Sequence, residues 1–185
     1  MRVIGGESRG RRLSAPVGTN VRPTSDRVRE AIFDILFSLG GVDGLHVADL
    51  FAGTGAIGIE ALSRGAASVT FVERDPKSVE AIRANLAAVG LGEAESQGDA
   101  IVVRADVDSW VSRAVSRYDL VVCDPPYGFD GWDALVARLP ADLAMLESSA
   151  EITAPEGWEV LKSRRYGSTI VTVARPERET QKGVS

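Results

Sequence analysis

Residues 48–58, ADLFAGTGAIG, place an acid at the end of an apolar run and three glycines in the turn that follows. Gly53, Gly55 and Gly58 have the spacing G-x-G-x-x-G, and a helical pattern of apolar residues begins near Ala56. Strand, glycine turn and helix in this order are typical of open parallel sheets, which bind nucleotides beyond the carboxyl ends of their strands. The motif alone does not separate a dinucleotide from another adenosine-containing cofactor, and a tight structural turn is the alternative.

The rest of the chain alternates apolar, strand-like runs with helical patterns. The runs are LHVADLF, VTFVE, IVVRA, DLVVC and LAMLE, and helices are predicted near residues 26–39, 56–64, 76–89, 107–114 and 132–139. This alternation predicts an α/β protein with a doubly wound parallel sheet. Two further runs, VLKSRRYG and STIVTVA, meet near Gly167 and predict an antiparallel hairpin at the sheet edge.

The overall composition fits one globular domain. A chain of 185 residues with 44% hydrophobic and 25% charged side chains can bury an adequate core. No apolar run approaches the roughly 20 residues of a membrane span, and the charged first residues do not resemble a signal peptide, so a cytoplasmic protein is expected. Cys123 and His46 are each the sole residue of their type, which excludes an internal disulfide and argues against a metal centre.

Charge is unevenly distributed along the chain. Residues 1–30 hold seven arginines and three acids, a charge of +4 within an overall charge of −5, so the remainder carries −9. A basic segment of this kind predicts contact with an anionic partner, whereas a solvated tail is the alternative. Glycines and prolines within it predict a small hairpin or an extended arm.

Acids stand at the ends of the first three predicted strands. Glu73 ends the strand after the glycine turn, where a carboxylate can accept both hydroxyl hydrogens of a ribose. Asp106, after the next strand, could accept from an adenine amino group, although a single acid at such a place more often caps a helix. Asp49 precedes the glycines, where an acid repels a pyrophosphate but attracts an ammonium or a sulfonium. Together the three acids favour an adenosyl ligand, and Asp49 favours S-adenosylmethionine over a dinucleotide.

Residues 121–128, VVCDPPYG, end another predicted strand with an acid, two prolines and an aromatic ring. Asp124 is expected beside the first strand, where doubly wound sheets reverse direction. The exocyclic amino group of a base is a poor nucleophile, and hydrogen bonds to the Asp124 carboxylate and the Pro125 carbonyl would stabilise the charge it gains during attack. The prolines fix the backbone, and Tyr127 is predicted to stack on the base. A plain turn after a strand is the alternative.

The ordered motifs DLFAGTG (49–55), FVERD (71–75) and DPPY (124–127) closely resemble amino-methyltransferases that use S-adenosylmethionine. The likeness extends to the small-subunit (16S) ribosomal RNA methyltransferase D family through the segments RVIGG, RGRRL, RPTSDRVREAIF and RYGST, and covers about residues 2–175. This resemblance implies a seven-stranded Rossmann-like methyltransferase sheet with an antiparallel last strand. It also implies methylation of the N2 amino group of one guanine of 16S ribosomal RNA, at position 966 in the usual RNA numbering, in an assembling or assembled small subunit.

The resemblance assigns roles to individual residues. Catalysis falls to Asp124, Pro125, Pro126 and Tyr127, cofactor binding to Asp49, Phe51, Ala52, Gly53, Thr54, Gly55, Glu73, Arg74 and Asp106, and RNA binding to Arg9, Arg11, Arg12 and Arg22. No metal and no membrane is implied, and the protein is expected to be a monomer. The chain divides into an arginine-rich arm or hairpin (1–22), a methyltransferase domain (23–176) and a frayed tail (177–185).

Two other functions fit the same motifs. A DNA adenine-N6 methyltransferase uses the same carboxylate, but only the arm of 22 residues remains outside the core for reading DNA. A non-catalytic RNA-binding assembly factor would keep the pocket, but every residue expected for catalysis is present. Arg164 and Arg165 fit RNA contact and an exposed hairpin face equally well, and Cys123 fits a core position better than a nucleophile.

Overall fold

A sheet of seven strands forms the centre of the protein. The structure, a computed structural model, describes residues 1–15 and 26–177. Its strands are β1 (His46–Leu50), β2 (Ser68–Glu73), β3 (Ala100–Arg104), β4 (Tyr118–Cys123), β5 (Ala141–Ser148), β6 (Trp158–Tyr166) and β7 (Thr169–Pro176). Its helices are α1 (Asp26–Ser38), α2 (Ala56–Ser63), α3 (Pro76–Ala88), α4 (Ala94–Gln97), α5 (Val107–Val111) and α6 (Trp132–Val136).

The strands follow the order β3-β2-β1-β4-β5-β7-β6. The first five strands of the chain pair in parallel, whereas β7 is antiparallel to both β5 and β6. The expected doubly wound sheet, with an antiparallel last strand in a hairpin at the edge, is therefore confirmed. The strand order reverses between β1 and β4, so a crevice opens beyond the carboxyl ends of these two strands.

Helices cover both faces of the sheet. On one face α1, α2 and α3 enclose a core that includes Phe33, Phe71 and Ile82. On the other face α5 and α6 pack around Val121 and Leu135. Burial on both faces explains why the central strands are continuous apolar runs without strict alternation. Within the described residues, no helix combines the length and apolarity needed to cross a membrane.

Helix boundaries largely follow the local sequence. Asp75 caps α3 by accepting from the Ser78 amide at 2.9 Å, and Pro76 takes the first helical position. The bonds from Ser78 hold the pKa of Asp75 below its usual range. Helices α5 and α6 end at Val111 and Val136, earlier than predicted. The sequence pattern does not predict α4, because its four residues are too few to show helical periodicity.

Residues 1–14 form a small antiparallel hairpin, which we call the N-terminal hairpin. The Val3 amide donates to the Arg11 carbonyl at 2.9 Å, and the Leu13 amide donates to the Met1 carbonyl at 3.0 Å. Val3 and Leu13 are buried in the same core as α1, α2 and α3. The predicted hairpin is therefore packed on the sheet domain, and these residues are not a solvated tail.

Candidate active site at the carboxyl edge of the sheet

The predicted catalytic and cofactor residues meet at the carboxyl ends of β1, β2 and β4. Leu50 of β1 pairs with Val72 of β2 and with Cys123 of β4. The residues that follow, Glu73 and Asp124, therefore stand on either side of the end of β1. The Asp124 amide donates to the Leu50 carbonyl at 3.4 Å. The sheet thus brings Asp124 beside the glycine turn, as the strand order predicts.

Glycine is required at Gly55, in the turn between β1 and α2, and at Gly58, in the first turn of α2. Gly55 has a φ of 75°, in the left-handed region that side chains disfavour. A Cβ on Gly58 would lie 2.3 Å from the Phe71 ring, so α2 can approach β2 this closely only with glycine there. The Gly55 amide donates to the Ala52 carbonyl at 2.7 Å and closes the turn. The result is a tight backbone loop at the start of α2.

Asp49 lies beneath this loop. Asp49 is only 2% exposed, and its Oδ2 accepts from the Gly58 amide at 2.9 Å. The pKa of Asp49 is raised to about 8, chiefly by burial. The hydrogen bond from Gly58 lowers this pKa, and the negative charges of Asp124 and Glu73 raise it further. Asp49 therefore supports the turn, and its contact with an ammonium group stays a prediction.

The Glu73 carboxylate is held by backbone amides. Its Oε2 accepts from the Gly53 amide at 2.9 Å, and its Oε1 accepts from the Arg74 and Asp75 amides at 2.8 Å each. These bonds tie the glycine turn to the end of β2. Because a carboxylate offers about four acceptor sites, it keeps capacity for a further donor such as a ribose hydroxyl.

Asp106 caps α5. Its Oδ1 accepts from the Ser109 amide at 3.2 Å, which is the structural role considered for it from the sequence. Asp106 is nevertheless exposed just after β3, on the same edge of the sheet as Glu73. A cap of this kind occupies one oxygen and is compatible with the predicted adenine contact.

The loop after β4 is shaped by a turn. The Phe129 amide donates to the Pro126 carbonyl at 3.1 Å, and Gly128 has a φ of 83°, which is the pattern of a type II turn. Tyr127 stands at the outer corner of this turn and is 88% exposed. Asp124 is half-buried at the inner end of the loop. The loop therefore holds the acid at the end of β4 and leaves the aromatic ring exposed to solvent three residues later.

Aromatic rings join the glycine turn to this loop. The Phe51 and Phe129 ring centroids are 5.7 Å apart, and Phe129 meets Trp132 edge to face at 5.1 Å. Phe51 has a φ of 59°, which is unusual for a residue with a side chain. The family resemblance assigns Phe51 to cofactor binding. The residue pattern gives no sign of its positive φ or of its packing on Phe129.

Sequence reasoning misses Asn85, a buried residue of α3. Its amide nitrogen donates to the Thr54 carbonyl at 2.9 Å and to the Ser14 carbonyl at 3.0 Å, and its amide oxygen accepts from the Ser14 amide at 2.8 Å. One side chain thus links the glycine turn to the end of the N-terminal hairpin. Its partners lie far away in the chain, so no local signal marks it.

Two of the predicted RNA-binding arginines, Arg9 and Arg11, lie away from the crevice. Arg9, Arg11 and Arg12 are exposed, and Arg22 lies outside the described residues. The turn of the N-terminal hairpin, which holds Arg9, is bonded through the Glu7 amide to the carbonyl of Ser63, the last residue of α2. The Arg11 guanidinium lies over Gly90, just past α3. Because α2 and α3 begin at the crevice and extend about 12 and 20 Å, these arginines stand near their far ends.

The described residues provide no cluster of metal ligands, and the single cysteine and histidine take no part in the crevice. Among the described residues, no group of three or more His, Cys, Asp or Glu side chains could hold a metal ion. Cys123 is buried in β4, and burial, together with the charges of Asp49 and Asp124, raises the pKa of its thiol. It is therefore a neutral core residue, as expected. His46 contacts Ser68 at the opposite edge of the sheet.

Known proteins resemble this chain in sequence and in structure. Residues 1–175 match the family described as Conserved hypothetical protein 95. A Bacillus subtilis relative is 37% identical over 175 residues, which cover 93% of this chain and 91% of the relative. The Escherichia coli protein named Ribosomal RNA small subunit methyltransferase D is 32% identical over 187 residues, which cover 96% of this chain and 90% of that protein. A solved Escherichia coli structure superposes with a TM-score of 0.79 at 32% identity, over 96% of this chain and 98% of the other.

Proposed function

The chain belongs to the Conserved hypothetical protein 95 family, and from its named relatives and the residues of the crevice we propose that it is an S-adenosylmethionine-dependent ribosomal RNA methyltransferase. The family resemblance drawn from the motifs is confirmed by the relatives named Ribosomal RNA small subunit methyltransferase D. We assign its reaction as methyl transfer to the N2 amino group of a guanine of 16S ribosomal RNA, by direct in-line displacement. Its substrate would be RNA carried in the small ribosomal subunit, and the enzyme would act as a monomer.

One observation carries this proposal: three carboxylates converge beyond the ends of β1, β2 and β4. Asp124 and Glu73 are close enough to Asp49 to add to the burial that raises its pKa. An excess of negative charge favours a cationic ligand and opposes a pyrophosphate. S-adenosylmethionine carries an ammonium and a sulfonium and no phosphate. The residues of the crevice therefore fit this cofactor.

The cofactor would be held by the residues around the glycine turn. The backbone of residues 53–55 would lie against it, the remaining acceptor capacity of Glu73 would serve the ribose, and Asp106 would accept from the adenine amino group. When bound, S-adenosylmethionine supplies an electrophilic methyl group. The acids Asp49 and Asp124 would then face positive charge, which relieves their mutual repulsion.

Residues 124–127, in the loop after β4, would prepare the base for attack. Hydrogen bonds from the amino group to the Asp124 carboxylate and the Pro125 carbonyl would hold the nitrogen and stabilise its developing positive charge. Pro126 stiffens the backbone that follows, and stacking of the exposed Tyr127 on the base is worth about 1–3 kcal/mol. Correct alignment of the reacting groups contributes roughly 7–11 kcal/mol more.

The direct test is the identity of the methylated nucleoside. The protein is incubated with methyl-labelled S-adenosylmethionine and either unmodified 16S ribosomal RNA, small-subunit particles or duplex DNA, and the products are digested to nucleosides. Label in N2-methylguanosine from the RNA or the particles is expected. Label in N6-methyladenine from DNA would replace the proposal with a DNA methyltransferase, and RNA binding without any label would indicate an assembly factor.

A further inference from the structure

Two arginines at the tip of the hairpin formed by β6 and β7 take no part in the site described above. Arg164 and Arg165 are exposed, and within residues 1–15 and 26–177 neither forms an ion pair with an acid. Three other exposed arginines, Arg83, Arg117 and Arg138, instead each pair with a carboxylate. The two guanidinium groups at the hairpin tip can therefore serve an anionic partner.

The register of the sheet places these arginines on the same edge of the sheet as Asp124. Asp124 directly follows the last paired residue of β4 and is level with Glu147 of β5. Glu147 pairs with Val171 of β7, and Val171 pairs with Arg164 of β6. Asp124 and Arg164 thus lie in one row of the sheet, three strand spacings or about 14 Å apart.

The two side chains stand on opposite faces of the sheet. Arg164 lies opposite Val171, which packs in the core beneath α1, and Arg165 lies opposite Ile170. Successive residues of a strand point to opposite faces, so one guanidinium flanks each side of the hairpin tip. Together they form a basic edge beside the crevice mouth.

The N-terminal arginines are less suited to hold nucleotides next to the reacting base. Arg9 and Arg11 lie near the ends of α2 and α3 that are remote from the crevice, about 12 and 20 Å along the helix axes. Arg164 and Arg165 instead share the edge of the sheet on which Asp124 lies. Arg164 and Arg165 are therefore better placed than Arg9 and Arg11 to contact RNA close to the target base.

We propose that Arg164 and Arg165 form a phosphate-binding surface for the RNA strand that leads into the crevice. This inference rests on the proposed function. It assigns RNA contact to two arginines that, from the sequence alone, fit an exposed hairpin face equally well. A guanidinium can bind a phosphate through two parallel hydrogen bonds. Each phosphate so neutralised steepens the dependence of RNA affinity on salt, by about 0.7 to 0.9 in the slope of log K against log salt concentration.

The test measures the salt dependence of binding to an unmodified 16S ribosomal RNA transcript. The variant Arg164→Ala/Arg165→Ala is compared with the wild type and with Arg113→Ala/Arg117→Ala. The second variant loses the same charge at the opposite edge of the sheet, after α5 and before β4. We expect the hairpin variant to bind more weakly, with a slope shallower by about 1.4 to 1.8, and the control to keep the wild-type slope. Arg164→Lys/Arg165→Lys keeps both charges and should keep most of the slope.

Melting temperature and S-adenosylmethionine affinity of the hairpin variant should equal those of the wild type, which shows that the fold and cofactor site are intact. A wild-type slope in the hairpin variant would overturn the inference. Self-association of that variant with an unchanged slope would do the same, because charged residues on an edge strand also prevent pairing between sheets. A wild-type protein that neither binds nor methylates the transcript or small-subunit particles would instead overturn the proposed function, and this inference with it.

Discussion

Asp49 and Asp124 are neighbouring acids in different surroundings. Asp49 is buried beneath the glycine turn, whereas Asp124 is half-buried at the crevice. Burial is the main reason that the pKa of Asp49 rises to about 8, and the charges of Asp124 and Glu73 contribute despite the opposing bond from Gly58. A cationic ligand favours the ionised carboxylate, so cofactor binding and proton release are linked at this residue.

The stability of the cofactor-free protein should decrease with rising pH because of Asp49. Its pKa is about 8 in the folded protein against 3.8 as the ordinary value, so between these limits the folded chain holds a proton that the unfolded chain has lost. The resulting stabilisation is fully present below about pH 4 and is lost as the pH rises through about 8. Urea unfolding at several pH values across this range measures the effect.

Asp49→Asn provides the control for this pH dependence. An asparagine oxygen can still accept from the Gly58 amide, but the side chain no longer titrates. The free energy of unfolding of this variant should change less between about pH 4 and 8 than that of the wild type. If both proteins show the same slope, the raised pKa of Asp49 is not its source.

Asp124→Asn should separate catalysis from cofactor binding. The change keeps the size of the side chain but removes the charge that would stabilise the attacking amino group, so methyl transfer should fall by about 10²-fold or more. Cofactor affinity, measured by calorimetry, should persist. Asp130→Asn, a change of an exposed acid in the same loop, serves as the control. Full activity of Asp124→Asn would remove this residue from the mechanism.

At the scale of elements, α3 connects two functional parts of the molecule. It begins at the crevice beside Asp75 and carries Asn85 on its buried side. Through Asn85 it holds both the Thr54 carbonyl of the glycine turn and the Ser14 backbone of the N-terminal hairpin. The helix therefore fixes the glycine turn and the hairpin relative to each other.

Asn85→Ala should destabilise the protein by about 1–3 kcal/mol, because backbone groups that it now satisfies would lose their partners. It should also weaken S-adenosylmethionine binding, since the Thr54 carbonyl belongs to the predicted cofactor turn. Urea unfolding and calorimetry measure the two effects. Arg83→Ala, on the exposed side of the same helix, removes only a surface ion pair with Glu95 and should cost at most about 1 kcal/mol. An Asn85→Ala protein with wild-type cofactor affinity would refute the link.

At the scale of the whole molecule, Glu60 joins the N-terminal hairpin, α1 and α2. Its carboxylate accepts from the Ile4 and Gly5 amides at 2.7 Å each and from Arg64 Nε at 2.8 Å. The buried Arg29 of α1 lies 4.0 Å away. Arg29 also donates to the Arg2 carbonyl, so the hairpin is held from two sides. Packing of the hairpin on the domain therefore depends on a buried, charged network.

Glu60→Ala should destabilise the folded protein by about 3–5 kcal/mol, because the Ile4 and Gly5 amides would lose their acceptor and the buried Arg29 would keep only Asp26 as a counter-charge. Hydrogen exchange of the Val3 and Leu13 amides should accelerate as the hairpin loosens. Glu95→Ala removes the acid of an exposed pair and should cost at most about 1 kcal/mol. Equal losses for the two variants would show that the Glu60 network does not hold the hairpin.

Local sequence was sufficient for the fold class and for most of the candidate site. The glycine turn, the strand-end acid Glu73 and the motif at Asp124 are each contiguous with an apolar run. Because parallel strands present their carboxyl ends at one edge, recognising the strands already places these groups together. The same local reasoning predicted the edge hairpin and accounts for the Asp75 cap, since caps and turns depend on adjacent residues.

Only the tertiary structure decided which distant side chains meet. Asn85 and its partners are 31 and 71 positions apart, and Glu60 reaches Ile4 across 56 positions. The charge count indicates an anionic partner for the N-terminal arginines, and the family resemblance makes that partner RNA. Packing places Arg9 and Arg11 at the far ends of two helices, while the sheet register puts Arg164 level with Asp124. Periodicity in a sequence reports which face of an element is buried. The element that covers that face depends on how the whole chain packs.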